Sequence, residues 1–227
     1  DKSVQRMLRL IDQLLEFRKM QAGKLKLSLQ ETDVVMFVQG ICKMFDDAAE
    51  SKQIDFKLES QLPAYLMYLD QQKMDKVVFN LLSNAFKYTE SGQSITVTLK
   101  EENGWLLLQV SDTGIGIPIN KQGKIFERFY QIESEHVGSG IGLSLVQRLI
   151  ELHHGRIELD SEENKGSTFS VYLPQDLSVY KPSELASNNE QNEEEQVYST
   201  NSKAMYFIDT EKVENEAIES GDKKRGT

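Results

Sequence analysis

The apolar positions at the start of the chain repeat with the period of a helix. Over about residues 1–23 they recur at steps of three and four, at Val4, Met7, Leu8, Leu10, Ile11, Leu14, Leu15 and Phe17. Such a stripe packs either on its own domain or against further helices in a bundle or coiled coil. We favour the bundle, because a helix this apolar is not stable alone in water, and we expect the stripe to drive self-association.

From residue 25 onward the pattern changes to short strands and helices. Residues 25–29 alternate as a strand does, and Asp33 is suited to cap a helix that ends at about Ser51. The patterns also predict helices at about 71–88 and 142–153, an irregular glycine-rich segment at 112–141, and strands at 54–59, 65–69, 94–100, 105–111, 156–160 and 168–173. This order indicates the α+β class, as a two-layer α/β sandwich with a mixed sheet and helices on one face.

Residues 175–227 differ in composition from the rest of the chain. They hold 12 acidic and 6 basic residues and thus carry −6 of the net charge of −10. Residues 183–196 are also poor in hydrophobic side chains, so we predict that 175–227 is a largely disordered acidic linker beginning after Pro174. The negative net charge argues against nucleic acid as the main partner.

Cysteine content and hydropathy indicate a cytoplasmic polypeptide. Cys42 is the one cysteine, so a disulfide within the chain is excluded and a reducing compartment fits. No apolar run approaches the ~20 residues that cross a bilayer, and we expect no direct membrane contact. The chain opens at Asp1 inside the helical repeat and without a starting methionine, so we interpret it as part of a longer protein.

The helix predicted at 71–88 presents a polar stripe beside its apolar one. Asn80, Asn84 and Lys87 follow each other at steps of four and three, on a different face from the apolar positions. Amide oxygens are suitable ligands for a Mg²⁺ ion that also holds phosphates, and a lysine nearby would neutralise phosphate charge. The alternative is an ordinary surface helix with a solvated polar face.

The segment Asp112-Thr113-Gly114-Ile115-Gly116-Ile117-Pro118 follows a strand predicted to be buried. A carboxylate there is costly unless it finds donors, and the amino group of a nucleobase would be one. The two glycines would let the backbone approach a flat ligand. An ordinary Asp-Gly turn is the alternative.

A second glycine-rich segment, Gly138-Ser139-Gly140-Ile141-Gly142-Leu143, runs into the helix predicted at 142–153. Free N–H groups at a helix start form an anion site, so this loop could cradle a triphosphate. Its spacing fits neither a Walker loop nor a dinucleotide fingerprint. Between the two glycine segments lies Ile125-Phe126-Glu127-Arg128-Phe129-Tyr130, whose aromatic side chains could be core and whose arginine could be a solvated charge.

In this order, the segments resemble the histidine kinase branch of the ATPase superfamily shared with gyrase, heat-shock chaperone ATPases and mismatch-repair ATPases. Residues 80–89 resemble its asparagine box, 112–118 and 138–143 its two glycine boxes, 126–130 its phenylalanine box, and 166–169 a weaker glycine-threonine motif. Residues 1–27 resemble the second helix of the kinase dimerisation domain. The resemblance thus divides the chain into that helix, a catalytic domain of the Bergerat type at 28–174, and the linker at 175–227.

The resemblance implies a role for each matching residue. Asn84, assisted by Asn80, would bind Mg²⁺, Lys87 a phosphate, and Tyr88 would pack beside adenine. Asp112 would accept from the adenine amino group. Residues 119–137 would be a mobile lid from which Arg128 reaches the γ-phosphate. Further ATP contacts are implied at Gly114, Gly116, Ile117 and Thr168 around the base, and at Gly138, Ser139, Gly140, Ile141, Gly142 and Leu143 around the triphosphate.

The implied activity is transfer of the ATP γ-phosphate to a histidine on a dimerisation helix that precedes this chain, for relay to a receiver aspartate. Hydrolysing relatives carry a glutamate where Asn80 stands, and an amide cannot act as a base, which favours transfer. We assign no catalytic role to His136, His153 or His154, so the chain alone is expected not to phosphorylate itself.

The implied partners are the phosphoacceptor helix, a receiver domain or response regulator, and a second copy bound through residues 1–23. Residues 222–227 resemble the chain just before the first strand of a receiver, which favours a hybrid kinase, and the parent protein is expected in the bacterial inner membrane. A degenerate kinase that acts as an ATP-binding or dimerisation module is the alternative. An ATPase that hydrolyses ATP is disfavoured by Asn80.

Overall fold

The computed structural model of the protein describes residues 25–130 and 140–185. Its α-helices are α1 (Val34–Cys42), α2 (Asp46–Lys52), α3 (Gln71–Tyr88), α4 (Ile119–Gln122) and α5 (Gly142–Leu152). Its strands are β1 (Gln30–Asp33), β2 (Asp55–Ser60), β3 (Leu66–Leu69), β4 (Ser94–Glu102), β5 (Trp105–Asp112), β6 (Arg156–Glu162) and β7 (Gly166–Pro174). Three 3₁₀ turns lie at Lys43–Phe45, Leu177–Val179 and Pro182–Glu184.

Five of the strands form one mixed sheet in the order β2-β4-β5-β7-β6. β2 and β4 are parallel and the other neighbours are antiparallel, while β1 and β3 form a separate antiparallel pair. The hairpin between β4 and β5 turns at Asn103 and Gly104, both with positive φ, as a tight two-residue turn requires. The α+β sandwich expected from the sequence is confirmed.

The core lies between the helices and one face of the sheet. α3 contributes buried apolar residues along its length, and the sheet meets it with alternate residues of its central strands, among them Ile95, Val97, Leu106, Leu108, Val110, Phe169 and Val171. The opposite residues of these strands point to the other face, because side chains alternate along a strand. The same alternation determines which polar residues of the strands share a face with the helices.

The predicted N-cap at Asp33 is present, and one predicted helix is interrupted. The Asp33 carboxylate accepts from the backbone N–H groups of Val35 and Met36 at the start of α1. The helix predicted to continue to Ser51 is broken by the 3₁₀ turn at Lys43–Phe45, which aims Phe45 into the core against Phe79.

The structure corrects the predicted strand at 25–29. Regular pairing starts only at Gln30, although Leu27 and Leu29 are buried as the alternation required. They pack against Tyr180, which lies in the segment after Pro174. The backbone N–H of Leu29 donates to the carbonyl oxygen of Glu184 at 2.8 Å.

The fold therefore does not end at Pro174 as predicted, because residues 175–185 pack on it. The helix predicted at 1–23, the lid residues 131–137 and the tail from 186 onward lie outside the described residues. Within the described ranges, no helix is long and apolar enough to cross a membrane.

Candidate functional site

The polar stripe of α3 lies next to the start of α5. Asn80, Asn84, Lys87 and Tyr88 are all half-buried. The side-chain amide nitrogen of Asn80 donates to the carbonyl oxygen of Lys76 at 2.7 Å, which leaves its oxygen facing the neighbouring helix. A Cβ added to Gly142 would lie 2.8 Å from that oxygen. The structure thus brings Asn80 of the polar stripe next to Gly142 of the second glycine segment.

Lys87 and Tyr88 form a pair at the end of α3. The ammonium nitrogen of Lys87 lies 4.9 Å from the centroid of the Tyr88 ring, within the range of a cation–π contact. The pair therefore places a positive charge and an aromatic face side by side at the end of the helix that carries both asparagines.

Asp112 ends β5 on the face of the sheet that carries the helices. It is the register partner of Ser167 on β7, and its side chain follows Val110 and Leu108 in the alternation. Its Oδ1 accepts from the backbone N–H of Gly114 at 2.9 Å. Burial raises the pKa of this carboxyl, while the backbone N–H groups of Gly114 and Ser167 lower it. The side chain is thus an acceptor held by the backbone in a partly desolvated place.

The glycines after Asp112 make room for the protein's own backbone. A Cβ at Gly114 would overlap the carbonyl oxygen of Tyr88, and a Cβ at Gly116, whose φ is +63°, would overlap that of Glu162. We expected these glycines to leave space for the base. Their close neighbours are instead α3 and the β6–β7 hairpin, so they fix the loop against both.

The second glycine segment is described from Gly140 onward, and Gly138 and Ser139 lie outside the described residues. Gly140 has a φ of +66°, and its carbonyl oxygen accepts from the backbone N–H of Phe129 at 2.9 Å. α5 starts after Ile141, whose side chain has no oxygen to cap the first N–H groups. Leu143 packs partly against the core. A helix start of this kind favours an anion.

The phenylalanine segment serves both as core and as surface. Ile125 is buried, and the Phe126 ring meets that of Phe169 edge-on at 6.5 Å. Phe129 is 68% exposed with a φ of +61°, and Arg128 between them is exposed. The aromatic residues therefore divide between the core and solvent, and Arg128 lies at the surface.

The structure corrects the predicted role of Thr168. Its hydroxyl oxygen lies 2.9 Å from that of Ser111, on the face of the sheet away from the helices. Ser167, one residue earlier, lies on the helix face beside Asp112 and is 7% exposed. Strand alternation from the apolar Phe169 could have identified Ser167, because residues two apart share a face.

The donor set suits Mg²⁺ held together with phosphates. Within residues 25–130 and 140–185, no group of three or more His, Cys, Asp or Glu side chains could hold a metal ion. Mg²⁺ in phosphate sites typically takes only one or two protein oxygens and otherwise phosphates and water. The amide oxygens of Asn80 and Asn84, one turn apart on α3, fit that pattern.

Comparison with known proteins agrees with this geometry. Residues 69–177 match the family described as histidine kinase-, DNA gyrase B- and HSP90-like ATPase. The sensor histidine kinase TmoS of Ectopseudomonas mendocina is 38% identical over 174 residues, which cover 74% of this chain and 18% of TmoS. Histidine kinase P4 of Formosa agariphila is 30% identical over 222 residues, which cover 95% of this chain and 16% of that protein.

The fold is also found in a solved structure. Full-length ShkA in complex with AMPPNP superposes with a TM-score of 0.70 and 26% identity, over 76% of this chain and 36% of ShkA. Four of the five strands of the mixed sheet, and the start of α5 beside Asn80 on α3, lie within the residues that match the ATPase family. The chain belongs to the histidine kinases and contains their ATP-binding catalytic domain. It spans less than a fifth of the two curated relatives.

Proposed function

We propose that this chain is the ATP-binding catalytic part of a two-component sensor histidine kinase. It transfers the γ-phosphate of ATP to a histidine on a dimerisation helix outside this chain, for relay to a receiver aspartate. One observation carries the proposal. The Asn80 amide oxygen faces Gly142 at the start of α5, so the stripe proposed to bind Mg²⁺ adjoins the helix start proposed to bind phosphate.

Different residues of the described chain bind the base, the Mg²⁺ ion and the phosphates. The Asp112 carboxylate accepts from the amino group of adenine, beside Tyr88 at the end of α3. Asn84 and Asn80 hold Mg²⁺, which when bound neutralises phosphate charge. The N–H groups at Gly142 and Leu143 bind phosphate oxygens, and Lys87 adds a positive charge.

The site favours transfer over hydrolysis. The side-chain amide nitrogen of Asn80 already donates to the carbonyl oxygen of Lys76. An amide also cannot act as a base that removes a proton from water. Phosphoryl transfer to an imidazole depends instead on positioning and on charge stabilisation. Arg128, exposed on the segment that leads into residues 131–137, is suited to reach the γ-phosphate when the acceptor histidine is present.

The partners follow from the same proposal. They are the phosphoacceptor helix of the dimerisation domain, a second copy of the protein joined through residues 1–23, and a receiver domain or response regulator. The resemblance of residues 222–227 to a receiver start supports a hybrid kinase. We place the chain in the cytoplasmic part of a protein anchored in the bacterial inner membrane.

Calorimetric titration with ATP, with and without Mg²⁺, tests the nucleotide site. We expect Mg²⁺-dependent binding that is about 10- to 150-fold weaker in Asp112→Ala, because a hydrogen bond to a charged group contributes ~1.5–3 kcal/mol. Asp160→Ala is the matched control, since Asp160 is an exposed aspartate on β6, which β7 separates from β5. Equal affinity in wild type and Asp112→Ala would refute the assignment of the base site.

Transfer is tested by adding the dimerisation domain of the parent protein, with its histidine, to the chain and labelled ATP. Label on that domain supports the kinase. Binding of ATP with no label transferred would support the degenerate module, and release of phosphate without an acceptor would support the hydrolysing ATPase.

A further inference from the structure

The hydroxyl of Ser161 on β6 joins three segments around the base site. It accepts from the backbone N–H of Ile117 at 2.8 Å and donates to the carbonyl oxygen of Gly166 at 3.0 Å. The Ser167 hydroxyl oxygen lies 3.0 Å from it. Ser161 therefore links the loop after Asp112 to the β6–β7 hairpin, although it belongs to none of the sequence motifs.

Gln122 at the end of α4 reinforces the same junction. Its side-chain nitrogen donates to the carbonyl oxygens of Ile117 and Ser161, both at 2.8 Å. The backbone N–H of Asn164 also donates to the carbonyl oxygen of Ile115 at 2.7 Å. The loop is thus held to the hairpin along its length, and the position of Ser161 relative to the loop is fixed.

The proton of each hydroxyl in this junction can be assigned. A serine hydroxyl has one proton to donate and two lone pairs to accept with. The Ser161 hydroxyl donates its proton to the carbonyl oxygen of Gly166, because a carbonyl can only accept. One of its lone pairs accepts from the backbone N–H of Ile117. The contact with Ser167 must then have Ser167 as its donor.

Ser167 consequently faces the base site with lone pairs only. It is the register partner of Asp112, and its backbone N–H donates to that carboxylate. With its proton directed to Ser161, it adds a second acceptor beside the carboxylate. Two acceptors match an exocyclic amino group, as on adenine, and oppose an oxo group, as on guanine.

We propose that Ser161 is a positioning residue that sets the base specificity of the site. It holds the Gly114–Ile117 loop in place and turns the Ser167 hydroxyl into an acceptor, so that a 6-amino purine nucleotide is favoured over a 6-oxo one. This inference rests on the proposed function, because it assumes that the base lies at Asp112.

The test measures the affinities of the full chain for ATP and GTP with Mg²⁺. In Ser161→Ala the Ser167 proton is released and can donate to an oxo group. We expect ATP to bind about two- to tenfold more weakly and the ratio of GTP to ATP dissociation constants to fall by at least that factor. Ser161→Thr, which keeps the hydroxyl, should restore the ratio.

Ser170→Ala is the matched control. Ser170 is a buried serine on β7 that accepts from the Gln109 amide nitrogen on the other face of the sheet. We expect this substitution to leave the ratio unchanged. If Ser161→Ala does not fold, Ser167→Ala must lower the ratio by itself, because it removes the second acceptor.

The outcomes distinguish failure of this inference from failure of the proposed function. Equal weakening of ATP and GTP in Ser161→Ala would show a purely structural role and overturn the specificity proposal, as would an unchanged ratio in Ser167→Ala. In either case ATP binding by the wild-type chain would still support the kinase. A wild-type chain that binds neither nucleotide would overturn the proposed function and this inference together.

Discussion

At the scale of single residues, the environment of Asp112 in the fold disfavours the charged form of its carboxyl. Burial raises the pKa of its carboxyl, and the N–H groups of Gly114 and Ser167 only partly offset this. Ionising this carboxyl therefore costs more free energy in the fold than in the unfolded chain. The amino group of a bound base would supply the missing donor.

A stability cost at Asp112 follows from the direction of this shift. A group whose pKa is raised on folding contributes stability below its unfolded pKa and loses it as pH rises through the folded one. We therefore expect Asp112→Asn to have a higher free energy of unfolding than wild type at pH 7. The difference should shrink as the pH is lowered toward the ordinary aspartate value.

Urea unfolding at several pH values between 4 and 8 measures this difference. Asp176→Asn is a control of opposite sign, because hydrogen bonds from Ser178 lower the pKa of that exposed carboxyl. A wild type more stable than Asp112→Asn at pH 7 would contradict the assigned cost.

At the scale of elements, the loop after Asp112 depends on backbone packing that only glycine allows. Gly116 and Gly92 both have positive φ, at +63° and +83°. A Cβ at Gly116 would overlap the carbonyl oxygen of Glu162, whereas nothing lies within 4 Å of a Cβ at Gly92. The two positions thus separate the cost of the dihedral from the cost of crowding.

We expect Gly92→Ala to lower the free energy of unfolding by about 1–2 kcal/mol, the usual cost of a left-handed L-residue. Gly116→Ala should cost about 1–3 kcal/mol more, since the hairpin must also move. Chemical denaturation measures both. Equal losses at the two positions would mean that the loop does not pack on β6 as described.

The elements themselves were largely predictable, because their signals are local. The bounds of α3 match the prediction at 71–88, since a long helix shows its period in consecutive residues. The strand predicted at 25–29 was misplaced, because alternation marks buried positions and does not show which residues pair with another strand. Leu27 and Leu29 are covered by Tyr180, which is distant in sequence.

Site residues that lie within a motif were predictable from the sequence. Residues that act through contacts between distant segments were not. Asn80 and Gly142, which the structure places next to each other, both lie in segments that carry the resemblance. Ser161 acts through Ile117 and Gly166, and no spacing in the chain links these three. Ser167 was missed in favour of Thr168 because the motif was matched by residue type without following the strand alternation to Phe169.

At the scale of the whole molecule, α3 and α5 also meet at the ends that lie away from the candidate site. Asp70 caps α3, and its carboxylate accepts from the backbone N–H of Ser28 at 2.9 Å. The backbone N–H of Asp70 donates to Nε2 of His153, which follows α5, and the Tyr180 hydroxyl donates to the carbonyl oxygen of His153 at 2.9 Å. The segments that enter and leave the described fold are thereby joined to both helices.

His153 makes this junction sensitive to acid. Burial lowers its pKa, and the charged or titratable groups that act on it are Asp70, Lys73 and His154. Its Nδ1 lies 2.7 Å from the carbonyl oxygen of Leu149 and Nε2 accepts from Asp70, so the ring is neutral. Protonation would place a second N–H against the Asp70 N–H.

A lowered pKa contributes stability that is present above the unfolded value of 6.5 and lost as pH falls toward the folded one. We expect the free energy of unfolding to decline below pH 6.5, by at most ~1.4 kcal/mol per pH unit from this one group. In His153→Gln that part of the slope should vanish, whereas His154→Gln, at an exposed position beside Glu184, should keep it. Urea unfolding from pH 5 to 8 measures the three slopes. A slope in His153→Gln equal to that of wild type would mean that titration of the buried ring does not cause the loss of stability in acid.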